Sequence, residues 1–523
     1  MRTTAPFRAA IALGAVLVLA SCSAGGAPPP SESSTAVADR TATVVYGGQI
    51  TPSHLDPHRG VTENDIPMLR YWYDTLTTVV GNGGEPAPFL AESWELSDDG
   101  KTFTMKLREG VTFVDGEPLD AAAVVANFDR MINDPNSTVA YVLAPIIESS
   151  EVVDPLTVKL NLKGGGGALP TILASRPGMM VSPKALADPE VLVTQPIGAG
   201  AFELVSATPG SRYASERRDD YWDKDAYKFA KLDDLVQADT ATRLNALQAG
   251  ESTLTSVIGA QKQEAEAAGL VTWQSTKPGT SFYRFSMNSE RAAFGDKRVR
   301  QAMSAAVNRD AISTALFAGQ CIPSAQPYPE GYFARSTTLD DSKWKNFDPA
   351  FSKKLLAEAG YPDGFSFTAA VPTLSTYQNF AQILQAQFAD IGITMNIEVI
   401  DTTQARQAFV TGSADALVGF FGGGTDPGIY AMSAYSPKSG DNPGGLTTEN
   451  MAALLAETQR SIDIDERHIA FEALMDEAFE MGPAQIVVCH PIGVHASQTT
   501  VSDFDQTGPL GASYALRTMT VSK

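Results

Sequence analysis

The sequence predicts an α/β or mixed α+β protein with several lobes, and three observations support this fold class. The chain has 523 residues, which is too long for one ordinary domain. Apolar residues make up 43% and charged residues 19%, as in packed globular proteins. Segments with the period of strands and segments with the period of helices alternate to the end of the chain, and no internal repeat is found.

In the first half of the chain, TATVVYGG (residues 41–48) is β-branched and aromatic and predicts the first strand of the folded body. TFTMKLREGVTF (102–113) alternates around a Glu-Gly turn and predicts a hairpin. The segment 120–133 predicts a helix that begins at an Asp120 cap, and LTVKLNLK (156–163) predicts a strand that ends at four glycines. The apolar residues that give the helical spacing are Ala122, Val125, Phe128, Met131 and Ile132.

In the second half, the segments 296–319 and 379–392 each predict a helix that ends at a glycine, and ITMNIEVI (393–400) predicts a strand. DALVGFF (415–421) predicts a buried strand that runs into FFGGGTDPG (420–428). Its three glycines can adopt positive φ angles and let another group approach the backbone closely. No charged side chain stands among these glycines.

The N-terminus predicts export. The apolar run AAIALGAVLVLA (9–20) follows a short basic region and is too short to span a membrane, as in a secretory signal peptide. It ends in LASC (19–22), which resembles the lipobox of bacterial lipoproteins, in which the cysteine is acylated. Residues 1–22 are therefore expected to be a lipoprotein signal peptide, with Cys22 as the lipidation site. The Gly/Pro/Ser-rich segment 23–40 predicts a flexible tether.

Charge and cysteine content narrow the function classes. The formal net charge is −21, which disfavours nucleic acid as a partner because its binding requires a basic face. Beyond Cys22, the chain has Cys321 and Cys489. An extracytoplasmic compartment permits a disulfide, but the sequence does not show that the two are close, and two buried free thiols are the favoured interpretation.

Signatures of catalysis are missing, so no catalytic residues, metal ligands or cofactors are predicted. The chain has no G-x-S-x-G, H-E-x-x-H, P-loop or G-x-G-x-x-G motif. The four glycines at 164–167 lack the lysine of a phosphate-binding loop, so an ordinary loop is expected. His490 and His495 are five residues apart and would point to opposite faces of a strand. They motivate only a minor alternative, a metal or hydrolase site.

Four segments together resemble the extracytoplasmic solute-binding proteins of peptide and nickel ABC importers. They lie in the same order as in that family and are FLAESWELSDDGKTFTMKLREGVTFVDGEPLDAAAVVANFDRM (89–131), PIGAGAFELVSATPGSRYASERRDDYW (196–222), DKRVRQAMSAAVNRDAI (296–312) and LLAEAGYPDGFSF (355–367). The resemblance covers nearly the whole chain after the tether. None of these segments contributes a reactive group, so they are expected to build the scaffold.

The resemblance implies a two-lobed fold of the periplasmic-binding-protein type, with hinge strands between the lobes and an extra small domain on the first lobe. The ligand would lie between the lobes and be buried by their closure. The implied boundaries are 41–82, 194–282 and 496–523 for the first lobe, 83–193 for the extra domain and 283–495 for the second lobe.

The resemblance also implies where charged ligand groups would bind. In peptide binders of the family, an aspartate three residues before the Asp-Pro step pairs with the ligand's α-ammonium group; the matching residue here is Gly423. Dipeptide binders hold the terminal carboxylate with an arginine in the region matching 370–380, which has none here. We therefore expect a ligand that is larger, blocked, cyclic or not a peptide. The alternative is a compensating carboxylate, such as Asp426 or Glu398.

Eight residues are predicted to line the ligand cleft. Two follow the first strand, one lies on a hinge-crossing strand, and the others belong to the glycine-rich loop. For Asp426, capping of the following segment is an alternative to binding a cationic ligand group. The eight residues are Thr51, Pro52, Tyr283, Phe420, Phe421, Gly422, Gly423 and Asp426.

The predicted protein is not an enzyme. It is expected to be a monomeric, lipid-anchored receptor on the extracytoplasmic side of the cell membrane, which delivers an oligopeptide or another small organic solute to the permease and ATPase subunits of an ABC importer. The alternatives are a signal-capturing receptor of the same fold, a nickel or metal-chelate binder, and an extracytoplasmic hydrolase.

Overall fold

The computed structural model describes residues 38–60, 65–81, 83–259, 261–339, 345–437, 439–506 and 510–523. The predicted signal peptide, Cys22 and nearly all of the predicted tether lie outside the described residues. Within the described part of the chain, no helix has the length and apolar character that crossing a membrane requires. The described residues from Ala38 onward form one compact unit.

The strands are, in chain order, β1 Thr43–Gly48, β2 Thr77–Val80, β3 Glu85–Pro88, β4 Ala91–Leu96, β5 Thr102–Leu107, β6 Ile147–Asp154, β7 Thr157–Leu162, β8 Phe202–Thr208, β9 Arg212–Arg217, β10 Lys231–Val236, β11 Leu254–Ser256, β12 Val271–Gln274, β13 Phe282–Met287, β14 Cys321–Pro323, β15 Ser366–Pro372, β16 Thr394–Ile400, β17 Ala416–Phe421, β18 Gln485–Pro491, β19 Val494–Ser497, β20 Val501–Ser502 and β21 Thr520–Val521.

The α-helices are α1 Ile66–Trp72, α2 Ala121–Asn133, α3 Ala140–Leu143, α4 Leu169–Ile172, α5 Pro183–Ala187, α6 Thr240–Gln248, α7 Gln261–Ala267, α8 Ala292–Gly295, α9 Lys297–Ala305, α10 Arg309–Phe317, α11 Pro349–Glu358, α12 Ser375–Ala389, α13 Thr402–Val410, α14 Pro427–Tyr435, α15 Glu449–Glu457, α16 Ile464–Glu480 and α17 Gly511–Thr518.

Three large sheets organise the described chain, beside two two-stranded sheets, β2-β3 and β20-β21. A seven-stranded sheet has the order β12-β19-β11-β1-β10-β9-β8, a six-stranded sheet has the order β14-β18-β13-β17-β15-β16, and a four-stranded sheet has the order β4-β5-β7-β6. Each of the three large sheets packs its own apolar core. The chain leaves the seven-stranded sheet between β12 and β13 and returns between β18 and β19. The domain boundaries given above remain predictions.

Several predicted elements are confirmed. Segment 41–48 forms β1, and strands are found where 156–163, 393–400 and 415–421 predict them. Helix α2 begins at Asp120, whose side chain accepts a hydrogen bond from the backbone N–H of Ala123. Phe128 and Met131 on this helix are buried, whereas Ala122 is exposed.

Two predicted elements are wrong. The segment 102–113 is not a hairpin, because β5 pairs with β4 and β7, and Thr112 makes only an isolated bridge to Pro118. The segment 296–319 is two helices, α9 and α10, instead of one. The break occurs because the Asn308 side chain accepts from the backbone N–H of Ala311 and starts the second helix.

Cys321 and Cys489 form a disulfide bond, so the expectation of free thiols is also wrong. The two cysteines lie 168 residues apart in sequence, but strand pairing brings β14 beside β18, where Pro323 faces Cys489 and Cys321 faces Pro491. The sequence carried no sign of this proximity. The bond ties the edge strand of the six-stranded sheet to its neighbour.

Candidate functional site

Two cavities meet at the glycine-rich loop after β17. The larger has a volume of about 1030 Å³ and lies between the segment 139–177, which includes α3 and α4, and the segments of the six-stranded sheet and its helices from 284 to 459. The smaller has a volume of about 400 Å³ and is lined mainly by the seven-stranded sheet and α1. Ser175, Gly422 and Gly423 belong to both walls.

The glycine-rich loop owes its sequence to a close backbone approach. Gly423 has φ +86°, a conformation that side-chain-bearing residues rarely adopt, and a Cβ on it would lie 2.8 Å from Thr280 Oγ1. The backbone N–H of Gly424 donates to that same hydroxyl at 3.1 Å. The group that approaches this loop is therefore the segment that leads into β13. An aspartate at position 423 would be strained and crowded there.

The Asp426 carboxylate, predicted either to bind a ligand cation or to cap a helix, is engaged inside the protein. Its Oδ1 accepts from the backbone N–H of Gly428 at 2.7 Å and so caps α14. Its Oδ2 accepts from Arg467 Nη2 at 2.7 Å and also from Thr171 Oγ1. Both charged side chains of this pair are 1% exposed. The cation that Asp426 holds is thus an internal arginine.

The two phenylalanines of the loop lie in the wall of the larger cavity. In the antiparallel pairing of β13 with β17, Tyr283 is opposite Phe420 and Phe282 is opposite Phe421. Tyr283 packs into an aromatic cluster with Phe317 and does not line either cavity. The ring centroids of Tyr283 and Phe420 are 4.9 Å apart, so Tyr283 packs against the Phe420 ring.

The residues predicted at the end of the first strand lie elsewhere. Thr51 and Pro52 line neither of the two cavities, although Gly48, Gln49 and Ile50 just before them line the smaller one. Glu398, considered above as a compensating carboxylate, is exposed on β16 and lines neither cavity. Of the eight predicted residues, the larger cavity therefore brings together Phe420, Phe421, Gly422, Gly423 and Asp426.

Sequence reasoning missed a charged cluster in the same wall. Arg284 Nη2 and Arg406 Nη1 each donate to Asp441 Oδ1 at 2.8 Å, and the three residues lie on β13, on α13 and in the loop after α14. A sequence signal existed for Arg284 alone, because it is the charged residue in the strand segment SFYRFSM. Nothing in the sequence indicated that Arg406 and Asp441 would meet it.

The smaller cavity contains a buried carboxyl group. Asp234 on β10 is 3% exposed, and its Oδ1 has no hydrogen-bond partner within the described part of the chain. The Tyr71 hydroxyl lies 3.5 Å from its other oxygen. Burial raises the pKa of Asp234 to about 7, and the hydrogen bond from Tyr71 offsets only part of this effect. This carboxyl is therefore largely protonated at mildly acidic pH.

The two histidines that motivated the metal and hydrolase alternatives belong to different sheets. His490 on β18 has both ring nitrogens within 3.1 Å of the backbone carbonyls of Ser281 and Gln326. His495 on β19 contacts Gln506 Oε1 at 2.6 Å and the Tyr46 hydroxyl at 3.2 Å. Burial lowers the pKa of both imidazoles to about 4. Across the described ranges, no group of three or more His, Cys, Asp or Glu residues is arranged to hold a metal ion.

The two sides of the larger cavity touch each other at its edge. Gly167 donates its backbone N–H to the carbonyl of Gln459 at 2.8 Å, and a Cβ on Gly167 would lie 2.1 Å from the Ser461 carbonyl oxygen. The Thr171 hydroxyl reaches Asp426 in the same region. The glycines at 164–167, expected to form an ordinary loop, thus make a backbone contact that only a residue without a side chain permits.

Comparisons with known proteins agree with this architecture. Residues 85–443 match the family described as "Bacterial extracellular solute-binding proteins, family 5 Middle". The glutathione-binding protein GsiB of Salmonella typhimurium is 33% identical over 380 residues, which is 72% of each chain.

Two solved structures have the same fold. The protein AgaA of A. tumefacien R10 in complex with agropinic acid has a TM-score of 0.77 and 26% identity, covering 92% of this chain and 99% of its own. The periplasmic binding protein DppA of Helicobacter pylori has a TM-score of 0.78 and 22% identity, covering 92% and 98%. The two-lobed fold of periplasmic binding proteins is thereby confirmed. The chain belongs to the bacterial extracellular solute-binding proteins of family 5, the substrate-binding components of peptide and nickel ABC importers, which are transport proteins and not enzymes.

Proposed function

We propose that this protein is a lipid-anchored receptor that captures a peptide-like or other small organic solute in the larger cavity and delivers it to the permease of its importer. The observation that carries the proposal is the cavity of about 1030 Å³ between the two sides of the molecule. Its volume is at the upper end of the ~300–1,000 Å³ of small-molecule sites, and it suits a solute of tripeptide or tetrapeptide size.

The lining favours a solute held by both stacking and polar contacts. Phe420 and Phe421 offer ring faces, and Gly422 leaves the backbone open because no atom lies within 4 Å of where its Cβ would be. Gly423 leaves the loop without the carboxylate that would hold a peptide ammonium group. This wall therefore gives no reason to expect a solute with a free α-ammonium group. GsiB is named for glutathione, and AgaA was solved in complex with agropinic acid.

A thermal-shift experiment tests the capture of solutes. The protein is heated with glutathione, with tetrapeptides and their N-acetylated forms, with sugar acids and with metal chelates. A solute at ~100 times its Kd adds about 2.7 kcal/mol to the native state, which raises the Tm by several degrees. We expect N-acetylated or non-peptide solutes to stabilise at least as well as free peptides. If none of these solutes shifts the Tm, solute capture as proposed is contradicted.

The lipid anchor is tested separately. We expect cells that express the full chain to incorporate labelled fatty acid into it, and the Cys22→Ser variant to incorporate none and to leave the membrane fraction. Labelled Cys22→Ser protein would contradict the proposed site. Delivery is tested by solute uptake in a host with and without the gene, because a receptor that hands its solute to a permease is needed for uptake at low solute concentration.

A further inference from the structure

The wall of the larger cavity carries a surplus of positive charge, although the whole chain has a net charge of −21. Two of its charged side chains already have partners inside the protein. Asp426 pairs with Arg467, and Arg176 donates to Thr138 Oγ1 at 3.0 Å and to the carbonyl of Gly60. The remaining charged members of the wall are Arg284, Arg406 and Asp441.

These three residues place two guanidinium groups on one carboxylate. Both arginines donate to the same oxygen of Asp441, and the other oxygen accepts from Ser433 Oγ at 2.6 Å. Burial alone would raise the pKa of Asp441. The charges of Arg284 and Arg406 and the hydrogen bonds outweigh burial, so the pKa lies well below its usual value. Asp441 is therefore a permanent single negative charge between two permanent positive charges.

The two arginines differ in their exposure and in the hydrogen-bond donors that remain accessible to a solute. The Arg284 side chain is 3% exposed and also donates to Gln485 Oε1 at 2.6 Å, so it is fixed in the protein. The Arg406 side chain is 50% exposed and uses Nη1 for Asp441. Among the described residues, Nε and Nη2 of Arg406 have no hydrogen-bond partner. Gly440 leaves space for Nη2, because a Cβ there would lie 2.6 Å from it.

We propose that Arg406 is the residue that binds a carboxylate group of the solute at this end of the larger cavity, with Arg284 holding Asp441 in place behind it. A guanidinium with free donors recognises a carboxylate through two parallel hydrogen bonds, and the unbalanced charge is then neutralised. The body of the solute would extend toward Phe421, whose ring lies 5.9 Å from Arg284 Cζ. This inference rests on the proposed function and narrows it to anionic solutes.

The test uses the full chain and a defined mixture of glutathione, peptides of two to five residues and sugar acids, each present as the free acid and as its methyl ester. Compounds that the protein retains during ultrafiltration are identified by mass spectrometry. We expect retention of free acids over their esters. We expect Arg406→Gln to weaken binding of the retained acid about 10- to 100-fold, because a charge-assisted pair is lost, while Arg406→Lys keeps part of it.

A matched control is Arg212→Gln, because Arg212 also has a half-exposed side chain that pairs with one carboxylate, Asp233, and it lines neither cavity. Its binding is expected to equal that of the unmodified protein. Equal retention of acids and esters, or undiminished binding in Arg406→Gln with an unchanged Tm, overturns the inference while leaving solute capture intact. If the unmodified protein retains none of the compounds, the proposed function fails, and the inference fails with it.

Discussion

The two cavities that meet at Gly422 and Gly423 differ in how the aspartates in their walls are paired. In the larger cavity, Asp441 is paired and stays ionised, so the surplus guanidinium of Arg406 is a permanent charge. In the smaller cavity, Asp234 has no strong partner, and burial raises its pKa to about 7. An unpaired buried carboxyl becomes neutral, whereas an arginine does not. The larger cavity therefore offers a solute the fixed charge of Arg406, whereas the Asp234 carboxyl of the smaller cavity becomes neutral at mildly acidic pH.

The largest expected effect comes from removing the cation that pairs with the buried Asp426 in the wall of the larger cavity. Arg467→Met leaves the Asp426 carboxylate buried without its cation, which we expect to lower the free energy of unfolding by about 3–5 kcal/mol. Urea denaturation measures this. Arg460→Met is the control, because the Arg460 side chain is 71% exposed. A loss of stability below ~1 kcal/mol, within the range of exposed ion pairs, would mean that the pair of Asp426 and Arg467 does not stabilise the cavity wall.

The second effect concerns the sheet that carries this wall. Replacing both Cys321 and Cys489 by alanine removes a cross-link between residues 168 positions apart, and we expect a loss of about 2–4 kcal/mol of stability. Denaturant unfolding of oxidised and reduced protein gives the value. Reducing agent is expected to destabilise the unmodified protein and to leave the double variant unaffected. Equal sensitivity of both proteins would exclude the disulfide as the cause.

The third effect belongs to the smaller cavity and depends on pH. The pKa of Asp234 is raised from 3.8 to about 7, so the folded state binds more protons than the unfolded state between about pH 4 and pH 7. The stability associated with this group is complete below pH 4 and is lost as the pH rises through 7. We expect Asp234→Asn to be more stable than the unmodified protein at pH 8 by about 1–3 kcal/mol, and to lose this advantage at pH 4. A pH-independent difference would contradict the assignment.

The smallest expected effect is at the edge that closes the larger cavity. A Cβ on Gly167 would lie 2.1 Å from the Ser461 carbonyl oxygen. Gly167→Ala is therefore expected to weaken this contact by about 1–2 kcal/mol. Small-angle X-ray scattering should then report a larger radius of gyration for the variant. Gly295→Ala, where the nearest atom is 3.4 Å away, is the control. Identical scattering of all three proteins would show that the backbone contact does not limit closure.

Local sequence patterns predicted the regular elements well, because strand and helix periods depend on neighbouring residues. They identified β1 and β17, and the Asp120 cap of α2. They failed where a side chain or a distant strand intervened. Asn308 divides one helical run into two helices, and β5 finds partners in β4 and β7 instead of in the segment that follows it.

The candidate site was predicted only in part. The glycine-rich loop could be singled out from the sequence because three glycines before an Asp-Pro step are unusual. Four of its residues line the larger cavity, namely Phe420, Phe421, Gly422 and Gly423. Asp426 could not be assigned from sequence, since its partners Arg467 and Thr171 are 41 and 255 residues away. Thr51 and Pro52 lie just beyond the residues that reach the smaller cavity.

The sequence by itself determined the alternation of strands and helices, the family, and the lack of an aspartate at position 423. These properties lie in the order of residues along the chain. The tertiary structure alone decided that Cys321 bonds to Cys489 and that Arg284 and Arg406 share Asp441. It also decided that Asp234 is buried without a strong partner. Disulfides, ion pairs and raised pKa values depend on distances in space, which residue order does not contain.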